Sequence, residues 1–200
     1  MFAKHIPAAV ILSLGLASAQ AATTVNFNVL NLSVPPVAGT PGTAGTGLVY
    51  IEGGLTFTTD APNLLQYWGP TDVENADPTG AALYSSEIDP PLVVTLTAGG
   101  TFDLISFQLA EADNSPIAFA ATFRYTDGSG IHSSILNHAA ASGLQTYVLN
   151  LNGITSFELT DIDFQIDNIT YNVTPVPELS TYALLSLGLA AISARIRRRR

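Results

Sequence analysis

Residues 160–173 read TDIDFQIDNITYNV and contain the most informative strand pattern of the chain. Apolar residues alternate with polar ones here, which is the period of a β-strand with one buried face. The alternation changes parity between Ile166 and Ile169, so a strand that keeps its apolar side chains on one face must absorb an extra residue there. The pattern therefore predicts a β-strand with a β-bulge at Asp167-Asn168.

Similar short apolar runs, separated by turn residues, recur before this stretch. The predicted strands are 24–29, 49–58, 82–85, 92–98, 101–110, 117–125, 144–151, 154–160 and 163–173. Gly53-Gly54 is predicted to form a bulge or a close backbone approach inside the second strand, and Asn152-Gly153 a type I′ hairpin turn. No helical period appears between these strands. The sequence therefore predicts an all-β fold, a single β-sandwich of the jelly-roll or galactose-binding-like kind.

The first 21 residues have the features of a secretory signal peptide helix. Lys4 supplies the positive n-region, residues 6–16 form the apolar h-region, and small residues lead up to Ala21. We expect cleavage after Ala21, which leaves residues 22–175 as one domain. A signal of this kind implies export through the Sec translocon.

The last 25 residues, 176–200, read VPELSTYALLSLGLAAISARIRRRR. An uncharged apolar run at 183–194 precedes a basic cluster. Apolar helices satisfy their backbone groups inside lipid, and flanking arginines stay on the cytoplasmic side. We therefore predict a C-terminal transmembrane helix with a cytoplasmic anchor. The anchor residues are Arg195, Arg197, Arg198, Arg199 and Arg200.

The tail motif Val176-Pro177-Glu178, followed by this apolar run and the arginines, resembles the PEP-CTERM sorting signal of Gram-negative bacteria that make exopolysaccharide. Leu179 stands where that family usually has a second proline. The resemblance implies recognition by an exosortase, cleavage near the motif, and transfer of the body from the inner membrane to the cell surface or extracellular matrix. The alternative is an ordinary C-terminal membrane anchor.

The charge of the body differs from that of the ends. The chain has 16 acids and seven bases, but Glu178, Lys4 and the five terminal arginines lie in the two signals, which leaves 15 acids against Arg124 and a net charge near −14. Such a surface repels nucleic acid and anionic membranes, and it favours cations. Because the chain has no cysteine, an exported domain of this size must fold without disulfides.

The 160–173 stretch also resembles the final strand of exported jelly-roll domains, including many PEP-CTERM proteins and the MAM-like and galactose-binding-like sandwiches, where Ile-Asp-Asn or a relative closes the fold. The resemblance implies that Asp167 ligates a structural Ca²⁺ together with an acid early in the domain, for which Glu52 is the matching candidate. Carboxylates and carbonyls are the hard oxygen ligands that Ca²⁺ prefers. The alternative is a bulge in which Asp167 bonds only its own backbone and Glu52 is exposed.

A second candidate site is Tyr67-Trp68, which precedes the acids Asp72, Glu74 and Asp77. Aromatic rings beside carboxylates are suited to stacking on a sugar and hydrogen-bonding its hydroxyls. The alternative is that Trp68 packs inside one end of the sandwich. The first interpretation predicts a ligand-binding role for this segment, and the second predicts a structural one.

Catalytic motifs are scarce in the chain. There is no cysteine nucleophile and no Gly-x-Ser-x-Gly elbow. His132 and His138 lie six residues apart without metal-ligand spacing, and we interpret them as exposed loop residues. Pairs of carboxylates for glycoside hydrolysis remain open, because fifteen acids offer many pairs and their separation is invisible in a sequence.

Together these patterns predict an exported, exosortase-sorted protein of the cell surface or extracellular matrix, without enzymatic activity, that binds carbohydrate or plays a structural part in an exopolysaccharide matrix. The alternative is a surface glycan hydrolase or lyase. The predicted partners are the exosortase, the Sec translocon, exopolysaccharide and, before processing, the membrane.

Overall fold

A computed structural model describes residues 21–32, 41–60, 64–85, 91–160 and 163–173, together with residues 188 and 195. The predicted signal peptide lies almost entirely outside the described residues, as does the Val176-Pro177-Glu178 motif, and the predicted transmembrane run is described only at Gly188. Within the described part of the chain, no helix is long and apolar enough to cross a membrane.

The described chain is built of thirteen strands and one short 3-10 helix, Asn28–Leu32. The strands are β1 (Thr23–Val25), β2 (Gly42–Thr43), β3 (Val49–Glu52), β4 (Leu55–Thr58), β5 (Leu65–Trp68), β6 (Ala82–Ser85), β7 (Leu92–Leu96), β8 (Phe102–Glu111), β9 (Phe119–Asp127), β10 (Gly130–His138), β11 (Gln145–Ile154), β12 (Ser156–Thr160) and β13 (Phe164–Val173).

These strands form two antiparallel sheets. Sheet A has the order β11-β8-β13-β6-β5-β2, with β1 also paired to β13, and sheet B has the order β10-β9-β12-β7-β4-β3. Buried side chains from both sheets form one hydrophobic core. The all-β sandwich prediction is confirmed at this level, and the jelly-roll or galactose-binding-like assignment stays a prediction.

Aromatic side chains join the two sheets at the centre of the core. Phe107 of β8 stacks on Phe157 of β12 with ring centroids 5.7 Å apart, and Phe123 of β9 lies 6.0 Å from the same ring. All three side chains are buried. Burial of one such side chain contributes roughly 1.5–3 kcal/mol, so this contact fixes the two sheets against each other.

β13 is a central strand, and it contains the predicted bulge. It pairs with β8 along its length, and the register shifts between Asp167 and Thr170. Asn168 has a φ of 48°, the left-handed conformation that such an extra residue adopts. Ile166 and Ile169 are both buried in the core, so the parity change seen in the sequence is confirmed as a bulge.

The prediction for residues 49–58 is wrong, because Gly53-Gly54 forms a hairpin turn and not a bulge inside one strand. Glu52 pairs with Leu55 across the turn, and both glycines have positive φ, 57° and 87°. That backbone matches a type I′ turn. The turn reverses the chain between Glu52 and Leu55, and Ile51 before it is exposed.

The type I′ hairpin predicted at Asn152-Gly153 is also wrong. β11 continues through both residues to the buried Ile154, which pairs with Phe102 in sheet A, whereas β12 begins at Ser156 in sheet B. Gly153 donates its N–H to Asp103 Oδ1 at 2.8 Å. Gly153 has the positive φ that favours Asn-Gly turns, but here it lies in a register shift of β11, just before the chain leaves sheet A for sheet B.

Two further predictions are corrected by the structure. The strand predicted at 24–29 ends at Val25, because Phe27 has a φ of 52° and the 3-10 helix follows. Val29 is therefore exposed. The segment interpreted as a loop carrying His132 and His138 is β10, whose alternation was hidden by small polar residues.

Candidate functional site

Asp167 lies at the point where one edge of β13 changes its partner. β6 pairs with Phe164–Ile166 of β13, and β1 pairs with Ile169–Tyr171. The bulge residues lie between these two ladders. Since neighbouring residues of a strand point to opposite faces, the side chain of Asp167 is on the face away from the core residue Ile166, yet it is fully buried.

A loop of residues 69–81, which joins β5 to β6, covers this face. Asn75 holds the loop closed by donating from Nδ2 to the carbonyls of Gly69, Asp77 and Gly80 at 2.9, 2.7 and 2.9 Å. Gln165 of β13 fastens it to the sheet, because its Oε1 accepts the Ala76 N–H at 2.9 Å.

The loop brings Asp77 to the bulge. Asp77 is nearly buried, and its side chain is within hydrogen-bonding reach of Asp167. Its Oδ1 also accepts the N–H of Thr79 at 2.9 Å. Two acidic side chains therefore share one buried site.

Asn28 completes the site from the other side. It follows β1, and its Oδ1 accepts the N–H of Ala81 at 3.2 Å. A Cβ placed on Gly80 would lie 1.6 Å from Asn28 Oδ1 and 2.5 Å from Asp77 Oδ2. Only glycine fits at position 80, and the two oxygens converge on the space beside it.

Glu52 approaches from the β3–β4 turn of sheet B. Tyr171 donates its hydroxyl to the carbonyl of Gly53, and Tyr50 donates to Glu52 Oε2. Glu52 is close enough for its charge to act on Asp167. We call Asn28, Glu52, Asp77 and Asp167 the Asp167 cluster.

The electrostatics of the cluster disfavour a bare negative charge on Asp167. The pKa of Asp167 is raised from its ordinary value of 3.8 to about 8. Burial is the largest cause, the Asp77 and Glu52 side chains contribute in the same direction, and the backbone N–H of Asn168 acts in the opposite direction. Arg124, the one base of the body, lies on β9 of the other sheet. A proton or a metal cation must therefore balance the buried carboxylates.

The oxygens of the cluster fit a hard cation. No three His, Cys, Asp or Glu side chains in the described ranges already converge as a metal site, so a cation would use mixed ligands. Asp77 and Asp167 supply carboxylates, and Asn28 supplies an amide oxygen at the cradle beside Gly80. Such an all-oxygen set suits Ca²⁺ and not a metal that prefers nitrogen or sulfur. The structure thus brings Asp167 and Glu52 into one neighbourhood. It adds Asn28, which the sequence did not predict, and Asp77, which the sequence had assigned to the Tyr67-Trp68 site.

A row of hydrogen-bonded polar side chains extends from the cluster across sheet A. Asn168 Nδ2 donates to Asp167 Oδ2 at 3.1 Å and to Gln108 Oε1 at 2.7 Å. Gln108 Nε2 in turn donates to Thr146 Oγ1 at 3.0 Å. We call Asn168, Gln108 and Thr146 the amide row. It crosses β13, β8 and β11, and Thr146 is exposed to solvent.

Tyr67 and Trp68 do not form the predicted sugar-stacking platform. They are 4% and 3% exposed, so neither ring offers a face to a ligand. Trp68 Nε1 donates to the carbonyl of Ala112 at 3.1 Å, and its ring lies 5.6 Å from that of Tyr84. The alternative interpretation, in which Trp68 packs, is the one that the structure shows.

The β9–β10 turn brings together a Ser, a His and an Asp, but in an order unsuited to catalysis. His132 Nε2 lies 2.9 Å from Ser129 Oγ and 3.1 Å from Asp127 Oδ1. A relay needs the acid on one ring nitrogen and the hydroxyl on the other. These groups stabilise the turn. His138, also on β10, is buried against Phe119 with ring centroids 4.3 Å apart, so the prediction of an exposed loop histidine is wrong there too.

Comparisons with solved structures give partial matches, of which two are described here. No protein-family model and no curated protein matches the chain. The C-terminal family 22 carbohydrate binding module of Clostridium thermocellum Xyn10B is 15% identical, with a TM-score of 0.37, over 70% of this chain and 97% of that chain. The enzymatically active domain of tailspike protein 4 of bacteriophage CBA120 is 17% identical, with a TM-score of 0.28, over 66% of this chain and 19% of that chain. Both similarities are too weak to bear on function.

Proposed function

We propose that this protein is an exported, non-enzymatic surface or matrix component that binds a neutral polysaccharide on the outer face of sheet A. The observation that supports the proposal most is the amide row, which is fixed to the Asp167 cluster through Asn168. Sugar hydroxyls both donate and accept hydrogen bonds, as amides and threonine hydroxyls do. Side chains that already hold one another in place lose little entropy when a ligand binds.

The charge of the body sets the class of glycan. Fifteen acids surround a single base in residues 22–177, so an anionic uronate polymer would be repelled by the same field that repels nucleic acid. A neutral chain of hydroxyls experiences no such repulsion. The amide row itself contains no ionisable side chain, which suits a neutral ligand.

We assign the Asp167 cluster as a structural Ca²⁺ site that supports this face. Asp77 and Asp167 would hold the ion with Asn28, and Glu52 would add negative potential. A bound Ca²⁺ supplies the positive charge that the two buried carboxylates lack. Two residues of the site connect it to the binding face. Asp77 anchors the 69–81 loop, and Asp167 orients the side chain of Asn168.

The route to the surface is proposed from the two ends of the sequence. Export through the Sec translocon would follow from residues 1–21, and processing by an exosortase would follow from Val176-Pro177-Glu178. A body released in this way would leave the inner membrane for the cell surface or extracellular matrix of a Gram-negative bacterium, where an exopolysaccharide is the available partner.

Affinity electrophoresis tests the proposed binding. The protein would be run in gels that contain a neutral β-glucan, a neutral galactan or a polyuronate, with Ca²⁺ present. We expect retardation by a neutral polymer and none by the polyuronate. Gln108→Leu with Thr146→Val should weaken binding about tenfold, or about 1.4 kcal/mol, because two hydrogen-bonding groups of the amide row are removed.

The matched control is Thr56→Val with Thr95→Val, a neighbouring pair on sheet B that should leave binding unchanged. Equal retardation of both double variants would contradict the amide-row assignment. Release of new reducing ends from the bound glycan would favour the alternative of a surface hydrolase.

A further inference from the structure

β10 is an edge strand of sheet B that pairs, within the described chain, with β9 alone. It is nine residues long, from Gly130 to His138. Ile131 and Ile135 are 75% and 56% exposed. A long apolar edge presents unpaired backbone groups to other strands, and natural proteins usually block it with a charge or a proline. β10 contains neither lysine nor proline.

The exposed residues of β10 are symmetric about Ser133. Ile131 lies two residues before it and Ile135 two residues after it, and since strand residues alternate between faces, all three point to the same side of the sheet. In an antiparallel pair of two copies centred on Ser133, Ile131 would face Ile135 of the partner subunit, and Ile135 would face Ile131 of the partner subunit. Such a self-complementary contact is what a two-fold interface requires.

The charge distribution favours the same contact. Two copies of a body with a net charge near −14 repel each other over most of their surface. Residues 128–157 contain no Asp, Glu, Lys or Arg, and β10 lies within this range. Next to Ser133 in the ladder is Arg124, which itself pairs with Glu158 of β12. At one end of the strand, Asp127 pairs with Gly130 and lies 3.1 Å from His132 Nε2. Charge is therefore sparse along this edge, and a close approach of two copies meets less repulsion there than a net charge near −14 would otherwise impose.

We propose that β10 is a homotypic interaction surface, at which two copies of this chain pair antiparallel about Ser133 and join their B sheets into one. The cross-strand pairs of isoleucine stabilise the contact, each by a few tenths of a kcal/mol to about 1 kcal/mol. Because the interface is one strand wide, the association is weak and reversible. At a crowded surface it would cross-link neighbouring copies.

Disulfide trapping tests this geometry in the full chain, because the protein has no cysteine of its own. Ser133→Cys places one thiol on the two-fold axis, opposite its own copy, and mild oxidation after export should give a disulfide-linked dimer on a non-reducing gel. Asn137→Cys is the matched control on the same edge. Its two copies would lie about 27 Å apart along the strands, from a rise of 3.4 Å per residue.

We expect at least fivefold more dimer from Ser133→Cys than from Asn137→Cys, and loss of this excess when Ile135→Lys is added. Resistance of the variants to protease would show that each one is folded. Equal trapping at both positions, or no dimer from a folded Ser133→Cys chain, would overturn the proposal. Failure here would leave glycan binding by the amide row untouched, since that face belongs to sheet A.

Discussion

Asp167 is fully buried at the bulge of β13. The two acidic side chains that raise its pKa belong to segments far away in sequence, Asp77 in the 69–81 loop and Glu52 at the β3–β4 turn. A carboxyl group in such surroundings is ionised only at a cost in free energy. The state of this one residue therefore couples the stability of the fold to pH and to cations.

The pH dependence of stability without a metal follows from this coupling. Burial raises the pKa of Asp167 to about 8 in the folded protein, so between about pH 4 and pH 8 the folded state keeps a proton that the unfolded chain has lost. Stability should therefore fall as pH rises through this window, by at most about 1.4 kcal/mol per pH unit. Urea unfolding at several pH values, in excess chelator, measures it.

His138 restricts the useful range of that experiment. Burial lowers its pKa, so the folded state resists protonation, and this residue removes stability as pH falls below about 6.5. The slope between pH 6.5 and 8 is then the part that belongs to Asp167. It should disappear in Asp167→Asn and persist in Asp60→Asn, which changes an exposed acid. A slope that Asp167→Asn leaves unchanged would show that another group is responsible.

The sequence predicted Asp167 and Glu52 as neighbours, whereas it assigned Asp77 to the Tyr67-Trp68 site and did not predict Asn28. Asp167 could be predicted because a parity change within one strand is a local signal. Glu52 was predicted from a family resemblance. Asn28 and Asp77 lie in a short helix and a loop, and no periodic pattern tells which strand edge such segments will cover. Their role depends on the pairing of β1 and β6 with the same edge of β13, which is a property of the topology.

Among the elements, the β3–β4 hairpin has a turn that needs glycine for a steric reason as well as a conformational one. Gly53 has a φ of 57°, and a Cβ there would lie 2.6 Å from Val25 Cγ2. The turn must therefore remain compact, because it packs directly against β1. Through Glu52 it also brings sheet B to the Asp167 cluster.

Gly53→Ala should destabilise the fold by about 2 kcal/mol, from a strained positive φ and a clash with Val25. Gly99→Ala is the matched control. It has a φ of 71° with nothing within 4 Å of a Cβ, so it shares the backbone strain without the clash and should cost about 1 kcal/mol. Chemical denaturation gives both values. An equal loss in the two variants would show that contact with β1 does not matter.

Two glycine-containing dipeptides were predicted incorrectly from the sequence. Gly53-Gly54 was predicted as an irregularity and is a turn, whereas Asn152-Gly153 was predicted as a turn and is an irregularity. Both dipeptides supply positive φ, and local sequence does not say whether the chain then reverses. The choice is made by packing, since Ile154 completes sheet A before the chain crosses to β12.

At the scale of the whole molecule, regular alternation was enough to predict most strands and the all-β class. β8, β9, β12 and β13 lie close to their predicted positions because each carries an apolar face. β10 was not predicted because its apolar and polar residues do not alternate clearly along the strand. The same lack of clear alternation, with isoleucines facing solvent, underlies the proposed pairing of two copies.

The body carries fifteen acids and one base, Arg124, which is exposed on β9. Proteins with such a charge stay soluble, but they repel themselves and concentrate cations. The Asp167 cluster would use those cations inside the fold, and the neutral region from 128 to 157 would be the place where two copies meet. The buried carboxylates support the first proposal, and the absence of Asp, Glu, Lys and Arg from residues 128–157 supports the second.

Thermal unfolding with Ca²⁺, and then with excess chelator, shows whether the Asp167 cluster binds Ca²⁺ in the native state. An ion that binds only the folded protein should raise the midpoint by roughly 5–10 °C at a concentration 100-fold above its Kd. We expect this rise to be reversed by chelator, lost in Asp167→Asn and kept in Asp60→Asn. A midpoint that does not respond to Ca²⁺, or a response that survives Asp167→Asn, would contradict the account.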